Sequence, residues 1–434
     1  MTMGSIQNGN ASDSASLLNV QPGMIYTCQS SAVCCQTFET ITVDPTAREA
    51  LTSPELQKQV GSKTLVSGDP KGGPHLARTP CGDCVMLTRD HLCAIHSILG
   101  AHSKPQVCQD FPFRYTETPG GTFVGLSFVC PSVRGKRGDL LSDQIPYIKE
   151  HHSRAVSHRE TDPAVHLDEH LQLEWAGYLA FESQLIEILS MHSKPLSHRI
   201  AALGVLVNLL PRFVLELHPE FLSKGGQQIP LQTLEVIGAT LQRENYESLF
   251  RIVKKPIKGA QRSRRMFLGM FAVFSNRLQQ SSGKASVVAG VMGRYLLHAI
   301  GLGGVRLKPF PVAVTHAELS KAVIPDAGPA AELITRYLAH SLFRKDLLLG
   351  PSVARRLRLI LINAALIPWY AAAHAKSGGR QELTTEDFSE AISHVEKYYG
   401  FHSQFYDFFQ QNAWFDDVVE GFILKPNFPM IMMQ

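Results

Sequence analysis

The hydrophobic pattern changes character near residue 163. From there onward apolar residues recur at helical spacing, whereas the preceding part has short apolar runs interrupted by Gly, Pro and polar residues. Helices are predicted over residues 167–188, 198–217, 231–241, 246–253, 329–349, 355–374 and 384–399. No alternation of strands and helices accompanies them, so a dinucleotide-binding fold is not expected. Residues 163–434 are therefore predicted to form an α-helical domain.

The first part of the chain predicts shorter elements. Asp44 followed by Pro45 indicates the N-terminus of a helix that continues to residue 60. A hairpin is expected from residues 113–115 and 122–129, joined across Pro119-Gly120-Gly121. Two further short strands are predicted, at residues 85–87 and 91–95. These elements carry little apolar surface, so this part of the chain is predicted to need another source of stability.

Composition suggests where the domains begin and end. Residues 1–20 are rich in Ser, Asn, Gly and Gln and are predicted to be a disordered leader. Residues 21–138 contain all of the cysteine and are predicted to be a separate domain. Residues 139–162 are polar and are interpreted as a linker, in which His151, His152 and His158 are expected to be exposed rather than to bind metal.

The overall composition limits the functional classes. A chain of 434 residues with 44% hydrophobic residues can bury a sizeable core, and its net charge of +4 requires neither nucleic acid nor an acidic membrane as partner. The most apolar stretch, Leu359–Ala375, is interrupted by Asn363, Pro368 and His374. No membrane span is predicted, and a soluble protein is expected.

The strongest chemical signal is the distribution of cysteine. All eight cysteines fall in the first 130 residues. They are Cys28, Cys34, Cys35, Cys81, Cys84, Cys93, Cys108 and Cys130. Such a concentration predicts a disulfide framework, a zinc site or an iron–sulfur cluster.

Disulfides are the least favoured of these. The N-terminus lacks the charged start and apolar core of a secretory signal, so a cytoplasmic location with reduced thiols is expected. Cys81-Gly82-Asp83-Cys84 has the spacing of a metal chelate, with Gly82 allowing a tight turn. The other ligands are scattered singly and Cys130 precedes Pro131, which favours an iron–sulfur cluster, such as a 4Fe–4S cluster, over zinc. Zinc stays the alternative, and eight cysteines suffice for one or two centres.

The order of these residues resembles a known bacterial family. Cys28, the pair Cys34-Cys35, CGDC, LCAIH and KPQVCQDFPFRY are similar to the cysteine-cluster proteins described as iron- or zinc-chelating, over about residues 25–135. The long form, with a helical remainder, is similar to the flagellin lysine-N-methylases. The resemblance implies an enzyme that methylates a protein lysine, flagellin being one candidate substrate, with S-adenosylmethionine as cofactor. It departs from the tighter form of the motif in having only Cys28 ahead of the pair.

Together these features predict an α+β protein, in which a small, irregular, cysteine-rich metal-binding domain is followed by a mainly α-helical domain. All eight cysteines are the predicted metal ligands. Catalytic residues are not identified by any motif. The competing hypothesis is non-enzymatic: a zinc- or cluster-stabilised scaffold or redox sensor whose helical domain binds a protein partner.

Overall fold

The computed structural model describes residues 17–38, 40–61, 65–69, 73–156, 158–223, 227–278, 293, 297, 302–400 and 413–434. The fold is mixed α+β and 56% helical, with sheets that are all small. The predicted α+β class is confirmed at this level. The chain divides into two compact units, an N-terminal unit of residues 1–161 and a C-terminal unit of residues 162–434.

The N-terminal unit consists of short helices and strands. The helices are α1 (Cys34–Thr37), α2 (Pro45–Leu51), α3 (Pro54–Val60), α4 (Ala94–Leu99), α5 (Gln106–Asp110), α6 (Pro131–Arg134) and α7 (Ile145–His152). Short 3-10 helices are formed by Ala101–Ser103 and Leu141–Gln144. The strands are β1 (Leu18–Val20), β2 (Val66–Asp69), β3 (Gly73–Leu76), β4 (Phe113–Thr118), β5 (Gly121–Leu126) and β6 (His158–Glu160).

The larger sheet of this unit has the strand order β1-β5-β4-β6. Its centre is the antiparallel hairpin of β4 and β5, which confirms the hairpin predicted across Pro119-Gly120-Gly121. Gly121 has a φ of +95°, which favours glycine at this turn. Strand β1 joins β5 in parallel on one edge, and β6 joins β4 in parallel on the other. Every residue of β5 is buried, as expected for a strand covered on both faces.

Two predicted boundaries are wrong in this unit. The leader predicted over residues 1–20 includes β1, whose residues pair with β5, while residues 1–16 lie outside the described part. The linker predicted over residues 139–162 contains α7 and β6. Burial of Ile148 and His151 on α7, and pairing of β6 with β4, make this segment part of the unit.

The helix predicted from Asp44 to residue 60 is two helices. The Asp44 carboxylate accepts a hydrogen bond from the Ala47 amide at 2.8 Å and caps α2. Ser53 then caps α3, accepting from the Leu56 amide at 3.3 Å, and Pro54 begins that helix. The two short strands predicted at residues 85–87 and 91–95 are wrong, because only an isolated bridge joins Leu87 to Cys93 and α4 begins at Ala94.

The C-terminal unit is dominated by longer helices. They are α8 (Trp175–Leu189), α9 (Leu196–Leu217), α10 (Leu231–Arg243), α11 (Glu247–Val253), α12 (Ala260–Leu278), α13 (His316–Lys321), α14 (Gly328–Phe343), α15 (Val353–Ser377), α16 (Thr385–Tyr399), α17 (Ala413–Ile423) and α18 (Phe428–Met433). Short 3-10 helices are formed by Pro219–Ser223 and Asp346–Leu348. The strands are β7 (Val165–His166), β8 (Leu171–Leu173), β9 (Gln227–Ile229), β10 (Gly304–Arg306) and β11 (Ala313–Thr315).

Helix α15 is the central helix of this unit. It is buried on nearly all sides, continues through Pro368, and packs against α16, α9 and α18. Helix α9 approaches it closely at Gly204, where an added Cβ would lie 2.5 Å from Leu361 Cδ1 and from Pro429 Cγ. The predicted cap of α16 is confirmed: Thr384 and Asp387 form a reciprocal capping box.

The expectation of helices without strands is wrong for this unit. Strands β7, β8 and β9 form one small sheet, and β10 pairs with β11. The helix predicted over 167–188 therefore begins only at Trp175. Its first residues instead form a turn, in which the Asp168 carboxylate accepts from the amides of His170 and Leu171, and then β8.

Within the part of the chain that the structure describes, two helices are long and apolar enough to cross a membrane by length and composition, although no span was predicted. The most apolar window of α9 is 56% buried within the protein, and that of α15 is 89% buried. Core helices of soluble proteins pass the same test, so this is weak support for a membrane location. The cytoplasmic location stays a prediction.

Candidate metal centre

The eight cysteines do not gather into one cluster. Five of them lie in, or pack against, a single hydrophobic core of the N-terminal unit: Cys34, Cys35, Cys84, Cys93 and Cys108. Cys28 and Cys81 are exposed, and Cys130 is buried outside that core. The eight-ligand site predicted from the sequence is therefore not formed as a single set.

Cys35 is the point at which the core thiols meet. Its thiol lies in the same core as those of Cys34, Cys84 and Cys93, and these three neighbours raise its pKa. We call these four residues the Cys35 group. They come from α1 and from two places in the segment between β3 and α4, so residues about 50 positions apart in sequence are brought together. Among the described residues no three thiols have all their sulfur atoms within 4.8 Å of one another.

Backbone hydrogen bonds hold the parts of the Cys35 group together. The Cys84 amide donates to the Cys35 carbonyl oxygen at 2.9 Å. The Arg78 guanidinium donates to the same oxygen at 3.0 Å and also to the Phe38 carbonyl oxygen. Because charge-assisted bonds are the stronger kind, Arg78 fixes α1 against the segment that carries Cys84.

The Cys81-Gly82-Asp83-Cys84 turn separates its two cysteines. Gly82 has a φ of +89°, and its amide donates to the Thr79 carbonyl oxygen at 2.8 Å. The turn directs Cys84, which is 2% exposed, into the core while Cys81 stays at the surface. The predicted chelation of one metal by both cysteines is thus not seen.

The thiol of Cys93 is more acidic than an ordinary thiol. Its pKa is lowered to about 6, first by the hydrogen bond from Cys35 and then by the amides of His96 and Ile95 and the charge of Lys104, against the opposing effect of burial. It occupies the N-cap of α4, where free amides point toward the thiol. Thiolates, not thiols, bind metals, so Cys93 is prepared for that role at neutral pH.

The neighbouring thiols differ in the direction of their pKa. Hydrogen bonds from Cys35 lower the pKa of Cys34 and of Cys84, with Lys104 assisting at Cys34 and Arg78 at Cys84. Cys35 itself keeps its proton, because hydrogen bonding to Cys34, Cys84 and Cys93 raises its pKa. The pKa of Cys108 is raised by burial. One S–H donates only one hydrogen bond at a time, so the Cys35 proton serves one of these neighbours at a time and does not make all three acidic together.

A cavity of about 200 Å³ opens beside the Cys35 group. Cys28, Cys34 and Cys93 lie in its wall together with His96 and Lys104. Two further residues of the wall, Ser30 and Ala32, have positive φ angles of 54° and 52°. Such backbone costs on the order of 1–3 kcal/mol per non-glycine residue and is concentrated at functional sites.

Cys28 and Cys130 stand apart from the core. Cys28 lies near Tyr26, where it adds to the larger effect of burial in raising the pKa of the Tyr26 hydroxyl. Cys130 is the N-cap of α6, and burial raises its pKa. Of the two, only Cys28 borders the cavity, so it is the candidate for an additional ligand.

Sequence reasoning did not assign a role to His96 or Lys104. Both belong to the motifs that carry the family resemblance, LCAIH and KPQVC, so the signal was present. Lys104 is 8% exposed, and its ammonium group donates to the Cys108 carbonyl oxygen at 3.3 Å. Its charge lowers the pKa of Cys34 and Cys93, which makes it the local counterion of the site.

A second group of metal-ligating side chains was not predicted. One oxygen of Glu117 and one ring nitrogen each of His152 and His158 lie within 4.8 Å of one another. The expectation that the linker histidines are exposed is wrong for His151, which is buried with Nδ1 2.9 Å from the Tyr115 hydroxyl. Only the spacing of His152 and His158, in the segment that follows a hairpin whose turn lies next to Glu117, hinted at this group.

Comparison with known proteins gives no relative. No family model matches the chain, and no similar protein was found among curated proteins or solved structures. The resemblance to the cysteine-cluster family and to the flagellin lysine-N-methylases stays a prediction from the residues quoted above.

Proposed function

We propose that the N-terminal unit binds a metal centre through the thiolates of the Cys35 group, with an iron–sulfur cluster as the preferred centre and zinc as the alternative. The observation that carries this proposal is the convergence of Cys34, Cys35, Cys84 and Cys93 on one hydrophobic core, beside an open cavity that Cys34 and Cys93 line. Cys28, across the cavity, is the candidate for a further ligand.

Charge balance supports a cationic occupant. Ionised thiols that lie close together repel one another, and the single Cys35 proton can serve only one of its three neighbours. Lys104 and Arg78 supply two positive charges near the Cys35 group. A bound metal would be the largest local charge in such a site and would replace the thiol protons, including that of Cys35.

The spacing of the sulfur atoms favours a cluster over a single zinc ion. Zinc–sulfur bonds of about 2.3 Å in a tetrahedron place all four sulfurs about 3.8 Å apart. The sulfurs of the Cys35 group meet at Cys35 but include no set of three within 4.8 Å of one another. Sulfur atoms spaced more widely than the ligands of a single zinc ion suit a centre that contains several metal ions.

The bound centre would supply either folding energy or reversible electron transfer. The chain's own contribution is to orient the sulfurs through Arg78, to stabilise thiolate charge through Lys104, and to leave one side of the site open. Lysine methylation with S-adenosylmethionine, the substrate flagellin and the cytoplasmic location stay predictions from sequence, as does the non-enzymatic partner-binding alternative.

The test is anaerobic purification of the full chain, followed by absorption spectroscopy and by analysis of iron, zinc and acid-labile sulfide. Cys84→Ser and Cys93→Ser remove thiols of the Cys35 group. Cys81→Ser is the matched control, because Cys81 belongs to the same CGDC turn but is exposed.

We expect iron and sulfide in the wild-type protein, loss of both in Cys84→Ser and Cys93→Ser, and full retention in Cys81→Ser. Stoichiometric zinc that is lost in the same two variants would show that the centre is zinc and not an iron–sulfur cluster. Protein without iron or zinc, or metal that survives both substitutions, would refute the proposal.

A further inference from the structure

A separate group of ligands is built on the sheet of the N-terminal unit. Glu117 lies near the end of β4, and His158 begins β6, which pairs in parallel with β4 so that His158 stands opposite Tyr115. His152 is the last residue of α7. Glu117 Oε1 is 3.0 Å from His152 Nε2 and 3.1 Å from His158 Nδ1.

The remaining polar atoms of two of these side chains are also held. The Thr122 hydroxyl donates to Glu117 Oε2 at 2.6 Å, which leaves Oε1 to face the two imidazoles. His158 Nε2 lies 3.2 Å from the His152 carbonyl oxygen. Partners of this kind orient metal ligands and fix the tautomer of a ligating histidine.

The hydrogen-bonding partners of His158 indicate what this group of side chains can bind. Its Nε2 faces a carbonyl oxygen and its Nδ1 faces a carboxylate oxygen, and both of these atoms accept hydrogen bonds. A neutral imidazole has only one N–H, so it satisfies one acceptor and points a lone pair at the other. With Nε2–H donated to the carbonyl, the Nδ1 lone pair and Glu117 Oε1 face each other, and either a second proton on the imidazole or a metal cation satisfies both atoms.

Aromatic packing limits movement of the two rings. The Tyr115 ring centroid is 5.4 Å from that of His158 in a stacked arrangement and 4.8 Å from that of His152 in an edge arrangement. The side chains of Glu117 and His158 are each 32% exposed and that of His152 is 22% exposed, so solvent reaches the group. The three ligand atoms are thus ordered on the protein side and accessible from outside.

We propose that Glu117, His152 and His158 form a binding site for a divalent transition-metal cation of the zinc type, through Glu117 Oε1, His152 Nε2 and His158 Nδ1. Two imidazoles and one carboxylate are a donor set that zinc and its neighbours accept, with further positions open to water or a substrate. The site is independent of the cysteines, since none of its ligands is a thiol.

The experiment measures Co²⁺ binding to the full chain by equilibrium dialysis and visible absorption. Sulfur ligation gives Co²⁺ an intense charge-transfer band, whereas nitrogen and oxygen ligation gives only weak visible bands, so the two classes of site are read separately. The variants are Glu117→Gln and His158→Asn. His170→Asn is the control, because His170 is exposed and lies outside the group.

We expect the wild-type protein and His170→Asn to bind one equivalent more Co²⁺ than the other two variants, with no change in the charge-transfer band. Thr122→Val should weaken this equivalent by about 10-fold or more, because its hydroxyl orients the carboxylate. Equal Co²⁺ stoichiometry in all variants would overturn the proposal.

A measurement on the wild-type protein guards against misfolded variants. Zn²⁺ should shift the imidazole ¹⁵N signals of His152 and His158 and leave that of His170 unchanged. If the signals of His152 and His158 do not respond to Zn²⁺, protons and not a metal ion link the three side chains, and the proposed cation site is refuted.

Discussion

The two units bury different kinds of side chain. Of the twelve largest side chains that are fully buried among the described residues, only Tyr115 and Phe128 belong to the N-terminal unit. The C-terminal unit contains the others, among them Trp369, Phe181 and Phe271. The core around the Cys35 group instead consists mainly of Ala, Val and Leu residues together with cysteine. Apolar burial therefore stabilises the C-terminal unit much more than the N-terminal one.

Buried charge is also handled differently. In the C-terminal unit, Arg344 is paired with Asp346 and Glu396, and Lys345 with Glu182, so these two buried cations have internal counterions. In the N-terminal unit, the charges of Lys104 and Arg78 instead lower the pKa of nearby thiols. The comparison teaches that carboxylates balance these buried charges in the C-terminal unit, whereas the balance around the Cys35 group depends on how many of its thiols are ionised.

The largest predicted effect is loss of the metal centre from the N-terminal unit. Removal of metal by chelation or oxidation should abolish hydrogen-exchange protection around the Cys35 group, because coordination contributes on the order of 10 kcal/mol in structural zinc sites. Protection of α9 and α15 should be retained. Hydrogen exchange with mass spectrometry measures both regions, and equal loss in both would contradict the contrast.

The next effect concerns the internal counterions of the C-terminal unit. Glu182 accepts hydrogen bonds from Lys345 Nζ at 2.5 Å and from the Tyr178 hydroxyl at 2.6 Å. Glu182→Gln leaves a buried ammonium without its counterion, so we expect the free energy of unfolding to fall by about 3–5 kcal/mol. Chemical denaturation followed by circular dichroism measures the change.

The matched control for that substitution is Glu216→Gln. Glu216 pairs with Arg212 at the surface, where both side chains are more than half exposed. A loss below about 1 kcal/mol is expected there. Similar losses in the two variants would show that the Glu182 pair is no more important than a surface pair.

A smaller effect tests close packing in the C-terminal unit. Gly204→Ala places a Cβ 2.5 Å from Leu361 Cδ1 and from Pro429 Cγ, so α9 must shift relative to α15. We expect a loss of about 1–3 kcal/mol. Gly421→Ala, on α17 with nothing within 4 Å of the new Cβ, should instead gain about 0.5–1 kcal/mol. Thermal unfolding of both variants gives the comparison, and a stabilised Gly204→Ala protein would be inconsistent with this packing.

The last prediction tests the acidity of Cys93 and involves the smallest change in stability. In the metal-free protein, alkylation of Cys93 should rise with pH about a midpoint near 6, because the lowered pKa makes the thiolate the main form at pH 7. Peptide mass spectrometry after timed iodoacetamide treatment measures the rate at each pH. A midpoint near the ordinary thiol pKa of about 8.5 would contradict the proposed environment. Cys81→Ser should change neither this profile nor stability beyond about 0.5 kcal/mol.

Much of the local structure was accessible from sequence. Capping of α2 by Asp44 and of α16 by Thr384 follows from short-range hydrogen bonding, and so does the turn that joins β4 and β5. These features depend on neighbours within a few positions. Sequence patterns identify them because the interacting groups are close along the chain.

Contacts between residues that are far apart in the chain explain the features that sequence patterns did not predict. Strands β1 and β6 are three residues each, and only pairing with β5 and β4 makes them strands. The polar residues around them in sequence therefore suggested a leader and a linker. The CGDC spacing likewise could not show that Arg78 and the Cys35 carbonyl orient Cys84 inward while Cys81 stays exposed.

The edges of the sheet in the N-terminal unit have a consequence for biosynthesis. One edge strand, β1, is made 142 residues before the end of the other, β6. At about 5–20 residues per second, roughly 7–28 s pass on the ribosome before the sheet can be completed. All eight cysteines are synthesised within that interval. The thiols of the nascent chain are therefore accessible before its sheet closes. Translation is thus the stage at which the proposed metal centre would most easily be assembled.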